Sequence, residues 1–308
     1  MHEPGGLYDF STDVTEVPDG LNLVAALTGF ADAGGAVTQL SEYFLDTLEH
    51  RELVEFDNDL LLDYRARRPL IYFDHDHLSD YQPATLKLYL AKDELQQPFL
   101  LLTGYEPDFL WERFTAAVLE LVEKYKVKAT TWVHAIPMPV PHSRPIGATV
   151  SGNRTDLIDT MSIWKPHTQV PANVLHLVEY RLQEIGHPVA GFVLLIPHYL
   201  ADTDFPMAAA AALESLSAAT GLIFSTERLR TQGREFIQKI DSQLDGNEEL
   251  ARLVGALEER HDSYMQENPL RSPLTDVDGE LPSADEIAAE LQNFLAMQRN
   301  GDVEKPSE

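Results

Sequence analysis

Leu21-Asn22-Leu23-Val24-Ala25-Ala26-Leu27-Thr28-Gly29-Phe30-Ala31-Asp32-Ala33-Gly34-Gly35-Ala36-Val37 is the stretch whose reading decides the fold. Leu23 to Leu27 is apolar without alternation, the mark of a strand covered on both faces. The chain then turns through Gly29 and the Gly34-Gly35 pair and takes up helical spacing, with Val37, Leu40, Phe44, Leu45 and Leu48 apolar. A strand feeding a glycine-rich turn at a helix start is where α/β proteins place ligands. The first helical N–H groups are unpaired there, and the helix dipole is positive.

The familiar ligand motifs do not fit. Gly29 and Gly34 have P-loop spacing, but Gly35 and Ala36 stand where Lys and Ser or Thr are required, and G-x-G-x-x-G is absent. Two readings stay open. The glycines let a ligand approach the backbone, or they let helix and strand pack closely.

Outward from this unit, strands and helices alternate. A helix is expected over 36–50, then strand-like runs at 53–56, 70–73 and 86–90, the last alternating as if one face met water. The run at 99–104 again ends in Thr-Gly before a helix over 109–125. A strand at 129–136 empties into Pro137-Met138-Pro139-Val140-Pro141, whose prolines cannot pair in a central strand. A helix over 173–185 closes at Gly186, a strand follows at 190–196, and an Ala-rich helix over 207–219 closes at Gly221. The expected architecture is a three-layer α/β/α core with a largely parallel sheet. Residues 1–19 read as a loose lead-in and 20–224 as the core. Three helical stretches are expected over 225–300, before a disordered tail at 301–308.

Composition sets bounds. The absence of cysteine excludes disulfides, thiolate metal sites and a thiol nucleophile, and fits a reducing cytoplasm. The acidic N-terminal residues are unlike a signal peptide, and no apolar run approaches the ~20 residues of a membrane span. A formal charge of −27 disfavours nucleic acid and anionic membranes as partners.

Ligands in open α/β sheets sit beyond the carboxyl ends of the strands. That rule nominates Gly29, Phe30, Asp32, Gly34 and Gly35 in the first turn, Glu106 after the 99–104 strand, His134, His142 and Arg144 around the Pro-rich loop, and His198 after the last strand. Asp32 and Asp108 have competing uses as helix N-caps, and for Asp108 capping is the favoured reading. His134 reads equally as a core histidine. Arg65, Arg67 and Arg68 form the one dense basic run, suited to an anion or a subunit interface. Asp74-His75-Asp76-His77 supplies too few ligands on one face for a metal site, and no metal or cofactor is expected.

LTGFADAGGAV, LLDYRARRPL, LLTGYEPD with WERF, HAIPMPVPHSRP and LIPHYLADTDFP, in this order, resemble the PAC2 (proteasome assembly chaperone 2) family in its actinobacterial form. The resemblance covers residues 21–221 and, more weakly, the helical end. It implies a three-layer core similar to that of nucleoside phosphorylases, an added helical region and oligomeric members. Some archaeal and eukaryotic members help assemble the 20S proteasome α-ring, and the family has no agreed catalytic residues. The hydrophobic-Tyr-X ending of proteasome-engaging members is replaced by Lys305-Pro306-Ser307-Glu308, which weakens the case for a proteasome-type partner.

The favoured expectation is a non-catalytic, cytoplasmic, homo-oligomeric binding or assembly factor. The alternative is a hydrolase or transferase for a small molecule, in which Asp32, Glu106, His134, Arg144 and His198 line one pocket. A third reading is self-assembly alone.

Overall fold

The computed structural model describes residues 6–11, 16–244 and 246–268; the expected third helical stretch and the tail lie outside them. In chain order the strands are β1 (Tyr8–Phe10), β2 (Asn22–Thr28), β3 (His50–Phe56), β4 (Leu70–Asp74), β5 (His77–Gln82), β6 (Leu86–Lys92), β7 (Pro98–Tyr105), β8 (Ala129–Met138), β9 (Ala148–Gly152) and β10 (Val189–Pro197). The helices are α1 (Ala36–Thr47), α2 (Asn58–Leu61), α3 (Trp111–Lys124), α4 (Thr155–Met161), α5 (Val174–Glu184), α6 (Pro206–Thr220), α7 (Glu227–Leu244) and α8 (Glu248–Glu267).

Eight strands form one sheet in the order β1-β3-β6-β7-β2-β8-β10-β9. Its centre, β7-β2-β8-β10, is parallel, and both flanks are antiparallel. The long apolar runs at 23–27, 99–102 and 192–196 lie in three of these strands, while β8 carries Thr130, Thr131 and His134 among its apolar residues. The residues of the four strands alternate strictly between two cores. Val24, Ala26, Phe99, Leu101, Val133 and Ala135 face α1 and α6. Leu23, Ala25, Leu100, Leu102 and Trp132 face α3 and α5. Burial on both faces removes any need for polar alternation. The Ala-rich helix α6 packs against α1 and the sheet on one side and α7 on the other, and small side chains permit that close layering. The described residues form one compact unit, and none of their helices is long and apolar enough to cross a membrane.

Three local expectations change. The lead-in contributes β1, paired antiparallel with β3. β8 does not end at residue 136 but runs to Met138, with Pro137 opposite Ile196. The pairing of β8 with β2 stops at Ala25–Trp132, so beyond that point β8 has a single neighbour and can carry a proline on its free side. The 70–73 run does not join the main sheet. It forms β4, which pairs with β5 in a separate two-stranded hairpin. On that hairpin Leu70, Tyr72, Phe73 and Leu78 are each 60% exposed or more, and Ile71 and Tyr81 are also exposed.

Candidate functional site

The connection leaving β2 runs through α1 on one face of the sheet and that leaving β7 runs through α3 on the other, while the crossover from β8 to β10 passes through β9 and α4 before α5 returns on the α3 face. Such a reversal opens a crevice at the carboxyl ends of the strands. β2 keeps its pairing with β7 as far as Thr28–Tyr105 but leaves β8 after Ala25. Phe30 and His134 occupy the gap, their rings stacked at 5.6 Å and 11°.

Glu106 follows β7, and its backbone N–H donates to Thr28 O at 2.6 Å. Its Oε1 accepts the backbone N–H of Val174 at 2.7 Å, the first helical residue of α5. Burial pushes the Glu106 carboxyl above the usual range, against the opposing pull of that N–H and of Arg67. His134 is 3% exposed, and its Nε2 has no hydrogen-bond partner. Burial first, then His176, lowers its pKa to about 4, with Asp32 opposing, so the ring is neutral at pH 7. Leu27, Phe30, Glu106, His134, Asn173, Val174 and Leu175 enclose about 10 Å³, the space of a single water.

Arg67 closes the crevice. It donates to Glu106 O at 2.6 Å, pairs with Asp108, and lies 5.3 Å from the centre of the Tyr105 ring. Its Nη1 is buried without a hydrogen-bond partner. Gly29, at φ +139°, sits where a Cβ would come within 3.2 Å of Glu106 Cβ and 3.4 Å of Arg67 Nη1. The backbone approach at this glycine is therefore to another segment of the chain. Gly34, at φ +69°, is packed likewise against Ile196, Phe205 and Ala208, and the Gly35 N–H donates to Asp32 O.

Asp32 accepts the N–H groups of Val37 at 2.7 Å and Thr38 at 2.9 Å, and the Thr38 hydroxyl at 2.7 Å. The chain's own carboxylate thus fills the helix N-terminus that the sequence offers to an anion. Asp108, expected to cap α3, does not. Leu110 stands at the cap with φ +58°. Asp108 accepts the Asp63 N–H at 2.7 Å and holds Arg67, so the 63–67 turn is folded onto the crevice at the cost of the cap.

The remaining nominated residues belong elsewhere. His142 is buried, its Nδ1 2.7 Å from Tyr199 Oη and its Nε2 3.2 Å from Asp241 of α7. Arg144 donates to Asp262 of α8 through Nε at 2.9 Å and Nη2 at 2.7 Å, and reaches Glu258 at 3.3 Å. His198 is exposed and packs edge-on against Tyr199. The five residues named for a single pocket therefore divide. Glu106 and His134 share the crevice, Asp32 caps α1 beside it, and Arg144 and His198 lie apart. Of the basic run only Arg67 turns inward, while Arg65 and Arg68 are exposed. Asp74, His75, Asp76 and His77 form the exposed hairpin turn, and among the described residues no group of three His, Asp or Glu is placed to hold a metal.

Sequence reasoning missed Asn173 and His176 at the crevice. Asn173 Oδ1 accepts the His176 N–H, and His176 Nδ1 accepts the Asn173 N–H, a reciprocal cap that fixes the start of α5. Asn three residues before His, ahead of an apolar run, was the available signal.

The PAC2 family profile matches residues 26–244. A Corynebacterium glutamicum protein of unknown function is 34% identical with a TM-score of 0.81, over 85% of this chain and 98% of its own. A Mycobacterium tuberculosis protein of unknown function is 38% identical with a TM-score of 0.78, over 86% of this chain and 95% of its own. A second M. tuberculosis protein, described as a proteasome-assembly chaperone homologue, is 20% identical with a TM-score of 0.69, over 76% of this chain and all of its own. No curated protein matches the chain.

Proposed function

The chain belongs to the PAC2 family, and from that premise we propose that it is a non-catalytic, assembly-chaperone-like protein-binding factor that works as a homo-oligomer. The β4–β5 hairpin carries this reading. A two-stranded ribbon is at best marginally stable in water, and this one exposes six large apolar side chains over its two faces. Large apolar side chains exposed together in this way are characteristic of protein interfaces. The exposed Arg65 and Arg68 lie just before the hairpin in a chain of net charge −27. A second copy therefore offers the carboxylates that these two cations can meet. The relative described as an assembly chaperone homologue shares the fold, which is as far as that likeness extends.

Two measurements test the reading. Light scattering on the eluting protein at micromolar concentration is expected to give a multiple of 34.5 kDa. The Phe73→Ser/Leu78→Ser variant is expected to fall to the monomer mass. Affinity purification from the native cells, at natural expression level, is expected to recover another protein near equal stoichiometry. A monomer that co-purifies with nothing sinks the proposal.

A second reading, a small-molecule hydrolase or transferase, is favoured by one observation. The unpartnered Nε2 of neutral His134 lines the same small cavity as Glu106, a carboxyl of raised pKa. A neutral imidazole beside a carboxyl is suited to proton transfer. It ranks second because the cavity holds about one water and Asp32 is committed to α1. Turnover of a nucleoside with phosphate, lost in His134→Gln, would promote it.

A further inference from the structure

A larger cavity, of about 220 Å³, lies between α8 and the carboxyl ends of β8 and β10. Its inner wall is apolar: Met138, Val140, Ile163, Trp164 and Leu195. Arg260 and Tyr264, one helical turn apart on α8, line the opposite side. We propose that this cavity binds a small amphipathic anion, its hydrocarbon body against Trp164 and Leu195 and its carboxylate on Arg260.

Size, lining and charge carry the argument. Apolar cavities of ~150 Å³ stay dry and take up benzene, so one of this volume admits about nine non-hydrogen atoms by the same scaling. The helix that roofs it is held by polar contacts of its own. Arg144 grips Asp262 and Glu258, and the Tyr264 hydroxyl donates to Ile163 O at 3.0 Å. Arg260 has no carboxylate within ion-pair distance among the described residues. Arg144, Arg154, Arg181 and Arg230 are each paired with at least one. In a chain of net charge −27, a guanidinium with no acidic partner among the described residues, at the edge of an apolar cavity, is complementary to a carboxylate with a hydrocarbon tail.

Octanoate is the probe and Trp164 the reporter. The other two tryptophans, Trp111 and Trp132, do not line the cavity, and Trp132 is fully buried in the core. Titration of the full chain with 8-bromooctanoate is expected to quench one component of the tryptophan emission, and Trp164→Phe is expected to abolish that quenching. Calorimetry with octanoate on Trp164→Phe should still record binding. Arg260→Gln, a surface change, is expected to weaken octanoate about tenfold, the worth of one charged hydrogen bond, and to leave octanol unaffected. Val140→Trp is expected to remove binding of both, with its thermal melt as the check on folding. Absence of heat and quenching at millimolar octanoate overturns the site. Equal affinity for octanol and octanoate, unchanged in Arg260→Gln, overturns its preference for an anion. The hairpin variant Phe73→Ser/Leu78→Ser should bind octanoate as the parent does, which separates this site from the protein-binding surface.

Discussion

Arg144 and Asp262 form a two-point guanidinium–carboxylate pair, at 2.9 and 2.7 Å, that ties the Pro-rich loop after β8 to the middle of α8. The Ser143 hydroxyl adds a bond to Glu258 one turn earlier. Only Val254 and Leu257 of α8 are buried, so these polar ties are a large part of what seats the helix. Hydrogen exchange of α8 amides is expected to accelerate in Arg144→Ala, with the protection of β2, β7 and β8 unchanged. Arg144 holds the Asp262 carboxyl far below the usual range. Its contribution is thus complete above the ordinary carboxylate pKa of ~4 and declines as pH falls below it. α8 should loosen in acid before the core does, and uniform exchange across α8 and the sheet would contradict this.

His134 makes a different acid signature. Its pKa, lowered to about 4, means that the folded protein binds fewer protons than the unfolded chain between pH 4 and the ordinary histidine value of ~6.5. Stability is complete above that upper value and is lost as pH falls through the window, by roughly 3 kcal/mol in all at 1.36 kcal/mol per unit. His176 and His187 are lowered in the same direction by burial, and Glu106 and Glu179, pushed up by burial, act the other way. The comparison that isolates His134 is therefore His134→Phe, which keeps the ring stack on Phe30. Urea unfolding at pH 7 and pH 5 should give a smaller difference in the variant than in the parent. An identical difference would place the slope on the other groups.

The legible part of this molecule was the part with one solution. β2, β7, β8 and β10 are predominantly apolar because helices cover both faces, whereas the equally apolar run of β4, Leu70 to Phe73, belongs to an exposed hairpin. β1 and β9 are short edge strands whose pairing comes from neighbours distant in sequence, and they left no local mark. The site was legible only where backbone topology fixes it. Phe30 and Glu106 follow from the ends of β2 and β7, and His134 stands within β8 just past the point where β2 leaves it. Arg144 and His142 were misplaced because their partners, Asp262 and Asp241, lie on helices whose docking no local pattern announces. Asp108 was assigned by its strong local preference for a cap, and a tertiary ion pair overrode that preference.

Asp32 decides whether the first turn is a ligand loop. Its carboxylate already takes two α1 N–H groups and the Thr38 hydroxyl, which leaves a diffusible anion no room there. Asp32→Ala should destabilise the protein by about 1–2 kcal/mol, the usual worth of a helix cap. It should also create a weak sulfate or phosphate site, because the exposed N–H groups and the dipole would then be free. Calorimetry is expected to record no phosphate binding by the parent and millimolar binding by the variant. Phosphate binding by the parent that Asp32→Ala abolishes would reverse this assignment and revive the enzyme reading.

Arg67 is the residue on which the crevice closes. One guanidinium nitrogen, Nη2, donates to both the Glu106 carbonyl and the Asp108 carboxylate, while the guanidinium carbon lies 5.3 Å from the centre of the Tyr105 ring. A lysine ammonium has no plane to lay against the Tyr105 ring and a different reach, so Arg67→Lys is expected to behave as a partial loss. The pair is about one quarter exposed on each side, where screening is partial and coupling between contacting charged residues falls within about 0.5–3 kcal/mol. A double-mutant cycle with Arg67→Ala and Asp108→Ala, read by urea unfolding, should give a coupling of about 1–2 kcal/mol. Asp108→Ala alone should also expose the 63–69 segment to proteolysis, since the Asp63 N–H loses its acceptor along with Arg67. Additive single variants, with that segment still protected, would mean that the turn is held by its own Asp63 carbonyl, which accepts the N–H groups of Ala66 and Arg67, and that Arg67 only lies over a crevice already closed.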